Sequence, residues 1–177
     1  GSGKDGVEEL LQQSSAYIDQ RSIDKKVYPK QIAFNSIPFV DCFLENNYTR
    51  EEMKMVWETH KILDENISIN PTAVRVPVLV GHAESIYIET EKEIDIELAK
   101  NCLNEFAGIS VIDDVQEVDF PTSFEHGHGT DDVYVGRIRK GLSKNNSLNL
   151  WVVADNVRKG AALNSIQIAE NLVGSEM

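Results

Sequence analysis

Apolar positions along the chain change their period several times, and each change marks an element. Over 7–18, Val7, Leu10, Leu11 and Ile18 recur at helical spacing and predict a first helix. Segment 22–30 is charged and contains Pro29, so it reads as a loop. Segment 32–44 is apolar but irregular, with Pro38 inside it, and its pattern assigns no state. Thr49-Arg50-Glu51-Glu52 then matches a capping box, with Thr49 as N-cap and Glu52 three residues on. The helix it opens is expected to reach about Leu63, with Met53, Val56, Trp57 and Leu63 as its apolar stripe. Glu51, Lys54 and Glu58 lie on another face, three and four residues apart.

From Thr72 the period becomes two. Val74, Val76, Val78 and Val80 would share one face of a strand, and Ala73, Arg75, Pro77 and Leu79 the other. Pro77 marks an edge or a bulge, and Gly81-His82-Ala83 a turn or kink. A second strand is predicted over 85–90. A helix follows over 96–106, with Ala99, Cys102, Leu103 and Phe106 as its stripe. A short strand is expected at 109–112, then a long loop over 116–131. Strands at 133–139 and 148–154 are joined through Asn145-Asn146 as a hairpin. The last helix is expected over 158–173, aligning Ala162, Ile166, Ala169 and Val173. Strands adjacent in sequence and joined by short turns imply a mixed, mainly antiparallel sheet with helices packed on one face, an α+β fold.

Composition narrows the partners. Lys and Arg number 17 against 29 Asp and Glu, a net charge of -12 over 177 residues. A phosphate backbone or an anionic membrane surface calls for a basic face, so both are disfavoured as partners. No apolar run approaches the length of a membrane span. Cys42 and Cys102 are the only cysteines, too few for a disulfide framework, so a reducing cytoplasmic setting is the expectation. The start, Gly1-Ser2-Gly3-Lys4, has no apolar signal core and no strand before it, so it reads neither as a leader nor as a phosphate-binding loop.

Few residues carry chemistry on pattern alone. Cys42 follows Asp41, whose charge opposes a thiolate, and Cys102 sits on an apolar stripe; both read as small buried hydrophobes. His126-Gly127-His128, near Glu125 and Asp131, has a spacing seen in metal sites, but a solvated loop explains it better and no metal is expected. Arg75 interrupts a valine-rich strand and needs a partner: either a structural ion pair or a substrate carboxylate gripped by two hydrogen bonds. His82, at the turn that follows, is placed to exchange protons near neutral pH. Seven residues would set the two on opposite faces of a regular strand, unless Gly81 bends the chain. Glu51 and Lys54 share a first helical turn, where backbone N–H groups favour anions, and spacing alone reads them as a solvated pair.

Several long motifs, in order along nearly the whole chain, resemble the aspartate-semialdehyde dehydrogenase family. They are Ile32-Ala33-Phe34-Asn35-Ser36-Ile37-Pro38, Tyr48-Thr49-Arg50-Glu51-Glu52-Met53-Lys54-Met55, Val74-Arg75-Val76-Pro77-Val78 and Gly81-His82-Ala83-Glu84. Val135-Gly136-Arg137-Ile138-Arg139, Trp151-Val152-Val153-Ala154-Asp155-Asn156, Lys159-Gly160-Ala161-Ala162 and Gln167-Ile168-Ala169-Glu170 continue it. The resemblance implies a glyceraldehyde-3-phosphate dehydrogenase-like C-terminal domain. It implies an enzyme that interconverts aspartyl phosphate and aspartate semialdehyde with NADP and phosphate, on the route to lysine, threonine and methionine. Matched motif by motif, Arg75 would bind the substrate carboxylate and His82 would be the acid/base. Glu51 and Lys54 would bind the substrate amino group and the phosphate, and Asn156 and Gln167 would lie near the nicotinamide cofactor.

The departures are equally specific. The family nucleophile is a Cys in an N-C-S-T-like motif, and neither Cys42 nor Cys102 lies in one. The Gly-rich dinucleotide-binding domain and a substrate-orienting Gln are absent as well. The expectation is a substrate-binding and dimerisation domain over 1–177, self-associating and inactive by itself. The rival readings are a non-catalytic dimerisation or regulatory module that keeps the fold, and an acyl-phosphate reductase with another substrate.

Overall fold

The computed structural model describes residues 2–174, and the chain divides into two compact units, Ser2–Pro77 and the residues from Val78 onward. In the first unit, α1 (Gly3–Ile18) begins four residues earlier than the apolar pattern indicates. Its inward face carries Leu10 and Ala16 together with two buried polar residues, Glu9 and Gln13. Those side chains bind backbone instead of solvent. Glu9 accepts the N–H groups of Lys26 and Val27, and Gln13 those of Ile32 and Ala33. A helix thereby supplies hydrogen bonds to an irregular segment that has no strand partner. Leu10, Ile32, Ala33 and Ile37 form the core of this unit, with Tyr28 and Phe39 packed on it.

The α2 helix (Arg50–Ile62) has the expected capping box. Its stripe does not form a core: Trp57 is 52% and Leu63 71% exposed, and Glu52 is the only buried residue of the helix. The segment after Thr72 also departs from expectation. It is not a strand; Arg75 alone forms a bridge, to Ile37, and Val74, Val76, Val78 and Leu79 stay exposed. Pro77 has no N–H to donate, and a single bridge cannot propagate past it.

The second unit holds a four-stranded sheet in the order β1-β4-β3-β2. Its strands are β1 (His82–Glu89), β2 (Ile109–Val111), β3 (Val133–Lys140) and β4 (Ser147–Ala154). The β1/β4 and β3/β4 pairs are antiparallel and β2/β3 is parallel, as a mixed, mainly antiparallel sheet requires. Asp95 caps α3 (Ile96–Glu105) by accepting the Leu98 N–H. Ala99 and Leu103 of α3 pack against Val135, Ile138, Leu148 and Leu150 of the sheet. Cys102 and Phe106 are exposed instead of lying on the packed stripe. The final helix opens with a π turn (Arg158–Ala162) before α4 (Leu163–Gly174), whose Ile166 and Val173 are exposed. Among the described residues, no helix is long and apolar enough to cross a membrane.

Candidate functional site

In the first unit, Arg75 is fixed by its backbone. Its N–H donates to the Ile37 carbonyl and its carbonyl accepts the Ile37 N–H, each at 2.9 Å. Its guanidinium carbon lies 5.8 Å from the centre of the Tyr28 ring, within cation–π range. Tyr28, Phe39, Asp41 and Arg75 line one recess of about 290 Å³. Among the described residues no carboxylate lies within ion-pair range of Arg75; Asp41 faces Arg50 instead, at 3.9 Å. A structural ion pair therefore does not account for this arginine. Its fork remains available to a planar anion.

Glu51 and Lys54 occupy the first turn of α2 and bond to each other at 3.1 Å. Both are partly exposed. The hydrogen bond and charge of Glu51 hold the Lys54 ammonium above its ordinary value. Without ligand, this pair is the surface pair that spacing describes. Beneath it, Glu52 is buried and its carboxylate accepts two backbone N–H groups, Oε2 that of Thr49 at 2.7 Å and Oε1 that of Ala73 at 2.9 Å, while its own N–H donates to Thr49 Oγ1. The N–H groups of Thr49 and Ala73 hold its carboxyl below the usual value, against burial. The capping box was visible in sequence; the Ala73 bond was not.

In the second unit, Gly81 takes φ +76 and breaks the chain direction where the sequence expects a turn. His82 is the first residue of β1, not a turn residue, and it pairs with Ala154. Gly81, just before it, rests against the 121–130 loop: a Cβ there would lie 2.7 Å from the Gly127 carbonyl oxygen. That loop is pinned from two sides. Trp151 Nε1 donates to the Pro121 carbonyl, and Asp155 accepts the N–H groups of Gly129, Val157 and Arg158. Burial acts to raise the Asp155 pKa, but these three donors and the nearby His128 outweigh it, leaving the carboxyl below its ordinary value. Asp155 was not singled out in sequence, although an Asp two and three residues before the N–H groups it accepts is a recognisable helix-start pattern.

Asn156 is half-buried beside Asp155, and Gln167 Oε1 accepts from Lys159 Nζ at 2.8 Å. His126 serves the loop itself: its Nδ1 accepts the Thr122 N–H and its ring packs on Tyr134. Among the described residues, no group of three or more His, Cys, Asp or Glu could hold a metal. Cys42 is half-buried and Cys102 exposed, so the buried reading fails for Cys102.

An α+β domain with an arginine fork set over a tyrosine ring, a capped Glu–Lys helix turn and a histidine at a strand start is the class these residues define. The chain belongs to the semialdehyde dehydrogenase family, whose dimerisation domain matches residues 1–159. It is 54% identical over 174 residues to the aspartate-semialdehyde dehydrogenase of Shewanella violacea, covering 98% of this chain and 51% of that protein. The structure of Vibrio cholerae aspartate semialdehyde dehydrogenase II complexed with ASA superposes with a TM-score of 0.92 at 47% identity, over 98% of this chain and 51% of that one. The Candida albicans enzyme with NADP matches more distantly, with a TM-score of 0.63 at 26% identity, over 79% of this chain and 44% of that one. The chain thus spans about half the length of the relatives it matches.

Proposed function

We propose that this chain is the substrate-binding and self-associating half of an aspartate-semialdehyde dehydrogenase. The observation that carries the reading is Arg75: its backbone is held by Ile37, its side chain lines a recess over the Tyr28 ring, and among the described residues no carboxylate lies within ion-pair range of it. In this reading Arg75 grips the substrate carboxylate by two parallel hydrogen bonds. Glu51 accepts from the substrate ammonium. Lys54 gives up its bond to Glu51 to meet phosphate, helped by the N-terminal N–H groups of α2. His82 moves the proton as a thioester forms and is cleaved by phosphate. Neither Cys42 nor Cys102 lies in an N-C-S-T-like motif, so neither is assigned as the thiolate that forms this thioester.

NADP, when bound, supplies the hydride acceptor. Asn156 and Gln167 fit as hydrogen-bonding neighbours of an amide-bearing ring: Asn156 is half-buried at the end of β4, and Gln167 is already oriented by Lys159. Self-association is supported by the match to a dimerisation domain and by exposed apolar side chains along α4. Light scattering is expected to give a dimer; a monomer at all concentrations would remove this part of the reading. A reducing cytoplasmic setting belongs to the same reading, as an expectation from a cysteine count of two.

The test is NADP reduction with aspartate semialdehyde and phosphate. The full-length protein that carries this domain is expected to show phosphate-dependent turnover, and the 177-residue chain alone none. Turnover by the full-length protein with a different aldehyde only, or none with any, would overturn the assignment.

A further inference from the structure

We propose that Glu52 is a positioning residue that sets the helix turn carrying Glu51 and Lys54 against the segment carrying Arg75. This rests on the reading of those three residues given above. A capping box needs only one oxygen of its carboxylate. In this chain the second oxygen is used too. Glu52 Oε2 accepts the Thr49 N–H at the start of α2, and Oε1 accepts the Ala73 N–H, two residues before Arg75. Glu52 is 8% exposed and Thr49 1%, so neither contact is exchanged for water without cost. A second tie runs alongside, from the Tyr48 hydroxyl to Asn70 Oδ1 at 2.9 Å.

The arrangement calls for a carboxylate in particular. Both oxygens of Glu52 act as acceptors. A glutamine has one acceptor oxygen and an NH2 group, which would face a backbone N–H and release one end of the tie. An aspartate is one methylene shorter and cannot span both partners. Glu52 touches no substrate in this account. It acts by holding the three binding groups at a fixed separation, the kind of placement on which substrate orientation depends.

In the full-length enzyme, Glu52→Gln is expected to raise the KM for both aspartate semialdehyde and phosphate together, about tenfold or more, while the KM for NADP stays unchanged. Glu52→Asp should behave likewise, since shortening also breaks the tie. Asp95→Ala is the control: it removes a comparable single cap bond from α3, far from these residues in sequence, and should leave all three constants unchanged. Unchanged constants in Glu52→Gln, or an equal rise in Asp95→Ala, would overturn the proposal. Arg75→Lys is measured beside them. If it raises the semialdehyde KM and Glu52→Gln does not, only the positioning role fails; if neither does, the reading of the site fails with it. Should Glu52→Gln not fold, exchange of the Ala73 amide proton in the unaltered protein decides. Slow exchange is expected, and exchange at the rate of an unfolded amide would overturn the tie.

Discussion

Replacing Gly81 by alanine tests how His82 is seated. The residue holds φ +76, a left-handed conformation that costs a side-chain-bearing residue about 1–2 kcal/mol. The added Cβ would stand 2.7 Å from the Gly127 carbonyl oxygen and 3.0 Å from that of Ser123. Both are backbone atoms of a loop pinned by Trp151 and Asp155, so no side chain can rotate away. Overpacking of this kind adds about 1–3 kcal/mol. The total is about 2–5 kcal/mol, and the loop must shift where β1 begins. Gly129 supplies the control, with φ +71 and nothing within 4 Å of its would-be Cβ. Gly129→Ala carries the same conformational cost and the same entropy change of the unfolded chain, without the clash. Urea unfolding followed by tryptophan fluorescence reads both variants, since the Trp151 ring, one of the two tryptophans, bonds the same loop. Gly81→Ala should fall below Gly129→Ala by about 1–3 kcal/mol at unchanged m-value. Equal losses in the two variants would refute the close approach of loop and strand.

Asp155→Asn keeps the oxygen that serves Val157 and Arg158 but sets an NH2 against the Gly129 N–H, and should destabilise by about 1–3 kcal/mol in thermal unfolding. Because the folded Asp155 pKa is depressed, its contribution is fully present above the unfolded value of 3.8 and is lost as pH falls below that through the folded value. An acid titration of stability should therefore flatten in Asp155→Asn relative to the parent protein. Asp113→Ala should cost about 1–3 kcal/mol by urea unfolding. It leaves the Ile138 N–H at the β3 bulge without its acceptor and Lys100 without the carboxylate that pairs with it at 2.9 Å. Tyr28→Leu removes the ring under Arg75 and should raise the semialdehyde KM of the full-length enzyme about two- to fivefold, with kcat little changed.

The elements legible in sequence were those whose signal is local. Thr49 and Glu52 announce α2 because the cap is made within four residues, and the β3–β4 hairpin follows from two alternating runs around Asn145-Asn146. The valine run from Val74 failed as a strand because alternation records only a face. Pairing needs a neighbour, and past Arg75 the chain meets Pro77 and finds none. Trp57 and Cys102 misled for a related reason: helical spacing defines a stripe and does not say what covers it. The site divides in the same way. Arg75 was conspicuous as a charge among valines, whereas the Tyr28 ring beneath it lies 47 residues earlier and carries no pairing signal. The second contact of Glu52, to Ala73, and that of Asp155, to Gly129, depend on backbone N–H groups brought in from elsewhere in the chain, which no residue pattern encodes.

Arg75→Lys in the full-length enzyme bears most directly on the central claim. A lysine keeps the charge and loses the two-pronged grip on a carboxylate. Steady-state kinetics should show the KM for aspartate semialdehyde rising about ten- to hundredfold, equivalent to about 1.5–3 kcal/mol for a charged hydrogen bond, with the KM for NADP unmoved. An unchanged semialdehyde KM would contradict the assignment of Arg75 as the residue that holds the substrate.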